Sequence, residues 1–508
     1  MTRAILSILI AATAASATAT GSALPADSAA TVMQRIDLSN RESQSLLSLA
    51  WQNPVINQYR HSYSLSSVAV SFASRQESTA LRAQLGDGDR TWAFDATSYI
   101  KYKDQTLWGR AYYNNGRINN MTWNETSDVD IVYPYLLADS VGGKKMNVER
   151  YSFGGGYASH RGRLSWGAQV AYTAGLYYRN VDPRPRNVTA HLDLETGIGY
   201  RLGGNYVGAL GIGFVKYKQT NNVDFYSELG AEKMFHLTGL ANEYNRFGGT
   251  GYDTYYNGHQ WGASLNLHAT HNRGFSASVE AKRLTLNNVL TGLNKLPMAH
   301  VSHNAIAAEA GWLAAGWGIQ AHMQASRRVG SENVFGDPMG GVYLKIGSLD
   351  MFYDNRFALG ATGVWQHQWG GYGLAVRPGI DYNHHNVLYA DPVSRLLYND
   401  LTYALKLKGS ATIGSTYHVL SARVGFTNPA KSQLQLSEPS AELMGLQRVI
   451  EREHNWLSKD RWQLSLGWAT HVRLNDRYAI KASIDWQYDA YHNDIHSNQF
   501  YSSIAFLF

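Results

Sequence analysis

The chain has 508 residues, no cysteine, 12% aromatic residues, only 17% charged residues and a formal net charge of +6. The lack of cysteine excludes a disulfide framework, a thiolate metal site and a cysteine-anchored lipoprotein. The small net charge gives no indication of a nucleic-acid partner. Apart from the leader, no stretch reaches the roughly 18 consecutive apolar residues that a membrane-spanning helix needs.

The first 23 residues have the pattern of a cleaved secretory signal peptide. Arg3 supplies the positive start, residues 4–17 form the apolar core, and Gly21-Ser22-Ala23 offers small residues at the cleavage site. The alternative is a membrane anchor, but the second half of this stretch is too weakly apolar. We therefore expect export from the cytoplasm and removal of residues 1–23.

Residues 24–60 form a second predicted unit, a periplasmic or lumenal segment with a short helix. Ser39 is the expected cap of this helix, because Glu42 follows three positions later. Pro54 is expected to end it. The pattern fits a simple leader into the first strand and a plug equally well.

Residues 61–508 alternate between strand patterns and turns. Ile480 and Ile484 alternate with Lys481 and Asp485, for example, so that one strand face is apolar and the other polar. Short links alternate with long polar links, one of which is predicted at residues 329–355. These features predict an all-β fold: a transmembrane antiparallel up-and-down β-barrel with short periplasmic turns and long extracellular loops. Dividing the sequence at these links gives about 18 strands, with 14 or 16 as alternatives.

The last ten residues form an apolar strand face that ends on an aromatic residue. Phe500, Ile504, Phe506 and Phe508 share one face of the predicted strand. This ending resembles the terminal strand of bacterial outer-membrane proteins. The resemblance implies an insertion signal at Phe506 and Phe508, with outer-membrane lipid and the insertion machinery as partners and the outer membrane as the location.

Two loop motifs extend this resemblance. They are His236-Leu237-Thr238-Gly239 and Arg246-Phe247-Gly248-Gly249. Together with an Asn-Pro pair after a short leading segment and Gly/Tyr-rich strands, they are similar to a domain-of-unknown-function family of Bacteroidota outer-membrane barrels. The resemblance implies a barrel, and it carries no activity and no site residues.

Charged residues on one face of the predicted strands are expected to line the lumen, because a lysine or arginine facing lipid near the midplane would cost about 2–4 kcal/mol. The lumen-lining candidates are Asp193, Glu195, Arg201, Glu280, Lys282, Arg328, Arg377, Asp381, Lys406, Lys408, Arg423, Arg473, Lys481 and Asp485. They could line a wet pathway, or they could pair across the lumen and hold the wall rigid.

Two long loops are expected to be more than connectors. Residues 221–258 are rich in aromatic rings that could form a lid, a sugar-stacking surface or a protein-docking surface. The loop-binding candidates are Phe235, Tyr244, Phe247, Tyr252, Tyr255 and Tyr256. Residues 428–460 contain a predicted amphipathic helix around residues 442–450.

No catalytic motif stands out in the chain. The G-x-S-x-G elbow, the H-E-x-x-H motif and the P-loop are all missing from the sequence, so we predict no catalytic, cofactor-binding or metal-binding residue. The favoured function is a channel or uptake barrel for small polar solutes. One alternative is an accessory barrel in a surface complex with a transporter or lipoprotein. The third alternative is a barrel hydrolase that acts on lipid or polysaccharide.

Overall fold

Strands make up most of the computed structural model, which describes residues 30–140, 142–203, 205–228, 233–249, 253–491 and 495–508. The predicted signal peptide lies outside these residues. In chain order the strands are β1 (Leu65–Glu77), β2 (Gly88–Tyr102), β3 (Gln105–Met121), β4 (Leu136–Ala138), β5 (Lys144–Arg161), β6 (Leu164–Tyr178), β7 (Arg184–Arg201), β8 (Tyr206–Asp224), β9 (Phe235–Gly239), β10 (Asn242–Glu243), β11 (Thr254–Ala269), β12 (Gly274–Leu290), β13 (Leu296–Leu313), β14 (Trp317–Phe335), β15 (Lys345–Trp369), β16 (Tyr372–Tyr389), β17 (Ser394–Ile413), β18 (Thr416–Gln435), β19 (Arg461–Arg473), β20 (Ala479–Ala490) and β21 (His496–Leu507).

Eighteen of these strands form one closed antiparallel sheet, and β4, β9 and β10 form a separate small sheet. Each strand of the large sheet pairs with its neighbours in the chain, and β21 returns to pair with β1. This pairing runs from Ser67 opposite Leu507 to Glu77 opposite Ser497. Two further backbone hydrogen bonds extend it, from Ser66 N to Phe508 O (2.8 Å) and from Phe508 N to Ser66 O (3.0 Å). The predicted barrel of about 18 strands is thereby confirmed.

The outer face of the barrel is apolar and exposed. Trp261, Ile484 and Ile504 have 57%, 46% and 67% of their surface accessible. Because side chains alternate between the two faces of a strand, this exposure marks one consistent outer surface. An exposed apolar surface of this extent is far larger than the patches that water-soluble monomers carry, so the outside of the barrel is built for lipid.

Tight turns and long loops alternate around the barrel. Two-residue links join β15 to β16 and β17 to β18, where Gly370 and Gly414 each have φ of +60°, a conformation that glycine adopts without strain. The long loops all lie at the other end. The link predicted at residues 329–355 is shorter than expected, because β14 and β15 continue to Phe335 and from Lys345.

The N-terminal segment begins with helix α1 (Val32–Ser39), which Thr31 caps through a capping box with Gln34. The prediction that a helix begins at Ser39 is therefore wrong, because Ser39 is the last residue of α1 and Glu42 starts a 3₁₀ turn.

Pro54 does not end a helix, contrary to the expectation from the sequence. It is the first residue of helix α2 (Pro54–Asn57), with Asn53 as the cap. Proline is tolerated at this position because the first helical N–H has no partner within the helix. A second 3₁₀ turn, at residues 50–52, precedes it. We call residues 30–63 the plug.

The long loops at the opposite end fold inward into a cap, which we define as residues 122–140, 233–249 and 441–457. It contains helix α3 (Val129–Val132), the small sheet and helix α4 (Met444–Leu457). The predicted amphipathic helix corresponds to α4. A buried apolar core joins cap residues such as Val132 and Leu446 to inward-facing wall residues such as Leu286 and Val301. No described helix is both long and apolar enough to cross a bilayer.

Candidate functional site

The predicted lumen-lining residues all lie on the strand face opposite the apolar outer belt. On β7, for example, Leu194 and Ile198 are exposed on the outside, whereas Glu195 accepts a hydrogen bond from Gln169 inside the barrel (2.7 Å). By strand, the residues are Asp193, Glu195 and Arg201 on β7, Glu280 and Lys282 on β12, Arg328 on β14, Arg377 and Asp381 on β16, Lys406 and Lys408 on β17, Arg423 on β18, Arg473 on β19, and Lys481 and Asp485 on β20.

The plug lies across the lumen at the end with the short turns. Three small apolar clusters hold it against the wall, built around Ile36, Leu47 and Ile56. Hydrogen bonds with strands β2, β13 and β15 and with the β19–β20 turn complete the attachment. They run from Val32 N to Asp476 O (2.8 Å), Ala50 N to Glu309 Oε1 (2.8 Å), Gln368 Nε2 to Asp37 Oδ1 (2.8 Å), Tyr99 O–H to Asn57 O (3.0 Å) and Lys101 Nζ to Gln58 O (2.6 Å).

The strongest charge cluster of the plug surrounds Glu42, which is only 4% exposed. Its Oε1 lies 2.9 Å from Lys406 Nζ and 3.3 Å from Lys408 Nζ, and its Oε2 lies 3.6 Å from Arg377 Nη1. Burial alone would raise the pKa of this carboxyl, but the hydrogen bond and charge of Lys406, with the charge of Lys408, outweigh burial and hold the pKa below its ordinary value. Glu42 is therefore ionised at neutral pH.

A cavity of about 920 Å³ lies inside the barrel, between the cap and strands β12–β17. Its lining is rich in charged groups, several of which pair with each other. Asp354 is the centre of one network, with Arg356 Nη2 at 2.8 Å and His385 Nε2 at 3.0 Å. Lys282 and Glu280 form another pair at 2.7 Å. We call this cavity the chamber.

Two arginines fix the cap over the chamber. Arg328, which is 9% exposed, donates from Nη1 to Tyr133 O (3.0 Å) and from Nη2 to Asp130 O (2.8 Å). Arg179 pairs with Glu125 at 2.8 Å, and each of these side chains is only 1% exposed. The cap is thus joined to the wall by buried charged contacts as well as by its apolar core.

Most of the aromatic loop candidates lie in the packed interior of the cap and the adjoining wall. Phe235, Phe247 and Tyr256 are buried, and Tyr256 O–H donates to Tyr135 O (2.9 Å). Tyr244 stacks on Phe247 with ring centroids 5.3 Å apart. These rings are buried because inward-folded loops need an apolar core of their own.

The other two candidates of this loop do not belong to that core. Tyr255 is half-buried on the outer face of β11, and Tyr252 lies outside the described residues. At the chain terminus, Phe506 and Phe508 are exposed on the outer face.

Sequence reasoning missed the residues whose partners are far away in the chain. The sequence places Glu42 at a helix start, and it does not single out Asp354. A usable signal for Asp354 was present, because Arg356 follows at the i+2 position, where both side chains share one strand face. Glu42 offered no such signal, since its partners lie on β16 and β17.

Solved structures with a similar barrel include outer-membrane receptors and a channel. A mutant of the ferric enterobactin receptor PfeA from Pseudomonas aeruginosa is 8% identical, with 88% of this chain and 81% of that chain covered and a TM-score of 0.39. The ferric preacinetobactin receptor BauA from Acinetobacter baumannii is 9% identical, with 88% and 80% covered and a TM-score of 0.40. The monoaromatic hydrocarbon channel CymD is 10% identical, with 91% and 92% covered and a TM-score of 0.31.

These likenesses concern the fold alone. No curated protein has a sequence that matches this chain significantly. A family model covers residues 54–508, which include the end of the plug and the whole barrel. The chain therefore belongs to the family of unknown function DUF6850.

Proposed function

We propose that the chain is a gated outer-membrane uptake protein for small polar solutes. The observation that carries this proposal is the charged chamber between the cap and strands β12–β17. A barrel that serves only as a scaffold gains nothing from keeping charged side chains around a cavity, because apolar packing would stabilise its lumen at least as well. A solute route, in contrast, needs polar groups that replace part of the solute's hydration shell.

The outer belt and the terminal strand support a location in the outer membrane. A closed barrel leaves no unpaired strand edge in lipid, and its outer face is apolar around the whole sheet. Phe506 and Phe508 present aromatic rings on that face at the end of the last strand. We infer that this strand is what the insertion machinery binds.

The test is solute flux into liposomes that contain the purified protein. Wild-type protein should admit small polar solutes, and a variant lacking residues 30–57 should admit them faster because the plug is gone. Heat-modifiable mobility on gels checks that both proteins are folded. If neither protein admits any solute although both are folded, the uptake proposal is wrong, and an accessory barrel that co-purifies with a stoichiometric partner becomes the better explanation.

A further inference from the structure

Three cations of the barrel wall converge on one carboxylate of the plug. Lys406 and Lys408 are neighbours on the inner face of β17, and Arg377 lies directly opposite Lys406 on β16. All three lie within 4 Å of the Glu42 carboxylate. The plug thus places a carboxylate at the point where positive charge of the wall is densest.

This carboxylate does not balance the charge around it. Oε2 of Glu42 is buried and accepts no hydrogen bond from the described residues. On the other side of Lys406, Arg423 of β18 is in direct register and forms no salt bridge with any described residue. Asp485 of β20 is a second carboxylate that acts on Lys406, and Lys481 is a further cation that acts on Lys408. The cations of the wall still outnumber the carboxylates, which leaves the site able to bind more anionic charge than the plug supplies.

We propose that Arg377, Lys406 and Lys408 form a binding site for small solutes that carry two or more carboxylates, with Glu42 as its built-in occupant. The solute competes with Glu42, and its binding releases this part of the plug. This inference rests on the proposed uptake function and names the class of solute. Exchange of one carboxylate for another leaves no lysine or arginine unpaired, so the substitution avoids the large cost of breaking a buried ion pair.

A solute with several carboxylates has a further advantage over Glu42. It can contact Arg423 at the same time as Lys406 and Lys408. Since plug and solute exclude each other at this site, each weakens the binding of the other by the same factor. The plug is then a gate that opens in response to the anion. Neutral solutes of the same size do not displace Glu42 and do not open it.

The experiment measures citrate binding to the full-length protein in lipid vesicles by calorimetry, with glucose as the uncharged comparison. Glu42→Gln keeps the shape of the side chain and removes the competing charge, so it should tighten citrate binding at least tenfold. Lys406→Gln should weaken it at least tenfold. The matched control is Lys218→Gln, because Lys218 is exposed on the outer face of β8, and it should leave citrate binding unchanged. Heat-modifiable mobility verifies that each variant is folded.

Hydrogen exchange gives the second readout. Citrate added to the wild-type protein should increase amide exchange in residues 41–47, and glucose should not. The proposal is overturned if Glu42→Gln binds citrate no more tightly than the wild type, or if citrate binds without loosening residues 41–47. Citrate binding without solute flux in liposomes would refute the uptake function alone, whereas flux of neutral solutes without citrate binding would refute only this site.

Discussion

Replacement of Arg328 by methionine should loosen the cap without unfolding the barrel. The guanidinium donates two hydrogen bonds to backbone oxygens of the α3 region, at 3.0 and 2.8 Å. Hydrogen bonds from a charged donor are each worth about 1.5–3 kcal/mol. Arg328 also lines the chamber, where water can replace part of what is lost. We therefore expect the variant to lose about 2–3 kcal/mol of the free energy that keeps the cap closed.

Hydrogen exchange on α3 measures this loss directly. The amides of Ile131 and Tyr133 are held by hydrogen bonds to Asp128 O and Val129 O, both of 2.8 Å. Their protection should fall by about 30- to 150-fold, since each 1.4 kcal/mol corresponds to a factor of ten. Amides of strands on the far side of the barrel should keep their protection.

Arg327→Met is the matched control for this prediction. Arg327 is the next residue on β14, it faces outward and it lies over the ring of Tyr353 at 5.9 Å. It makes no contact with the cap, so its loss should leave α3 protection unchanged. If Arg328→Met also leaves α3 protection unchanged in a folded barrel, the assignment of Arg328 as an anchor of the cap is refuted.

Three further predictions concern the lipid face, the cap and the terminal strand. Ile484→Arg should destabilise the barrel by about 2–4 kcal/mol if this outward residue lies near the midplane, whereas the inward Asp485→Asn should cost far less; urea unfolding in vesicles compares them. Burial raises the pKa of the Glu453 carboxyl on α4 to about 7, so its contribution to cap stability is complete below about pH 4 and is lost as the pH rises through 7. Glu453→Gln should remove this pH dependence from α4 exchange. Phe508→Ser should impair membrane assembly, whereas Leu507→Ser should spare assembly and loosen α1, against which Leu507 packs; membrane fractionation and hydrogen exchange separate the two effects.

The barrel could be predicted because its signal is local. On β20 the alternation of Ile480 and Ile484 with Lys481 and Asp485 follows from the backbone, which turns successive side chains to opposite faces. No distant contact is needed to read this pattern. The prediction of strand ends failed for β14 and β15, where β-bulges interrupt the alternation. Register shifts near Gly330 and Val334 break the period of two, so the adjoining ends of these strands look like a loop in the sequence.

The plug and the cap could not be predicted for the opposite reason. Ser39 and Glu42 have the spacing of a helix start, yet contacts with Lys406 and Lys408 place Glu42 after the helix instead. Phe235 likewise looks like an exposed loop ring, because irregular segments carry no periodicity that reveals a buried face. In both segments the conformation is decided by contacts with wall residues that are not neighbours in the chain.

The two segments that close the lumen differ in how their charges are balanced, and this difference bears on which of them a solute can move. In the cap, Arg179 pairs with Glu125 at 1% exposure, and the buried carboxyl of Asp139 lies next to Glu125, so this site has no surplus of positive charge. Separating such a pair leaves a buried charge without a partner and costs about 3–5 kcal/mol. At the plug, the cations of the wall around Glu42 outnumber the nearby carboxylates, so an incoming anion can take the place of Glu42 before any charge is left unpaired. The cap is therefore suited to stay in place while solutes enter around it, and the plug is the segment that an anionic solute can release.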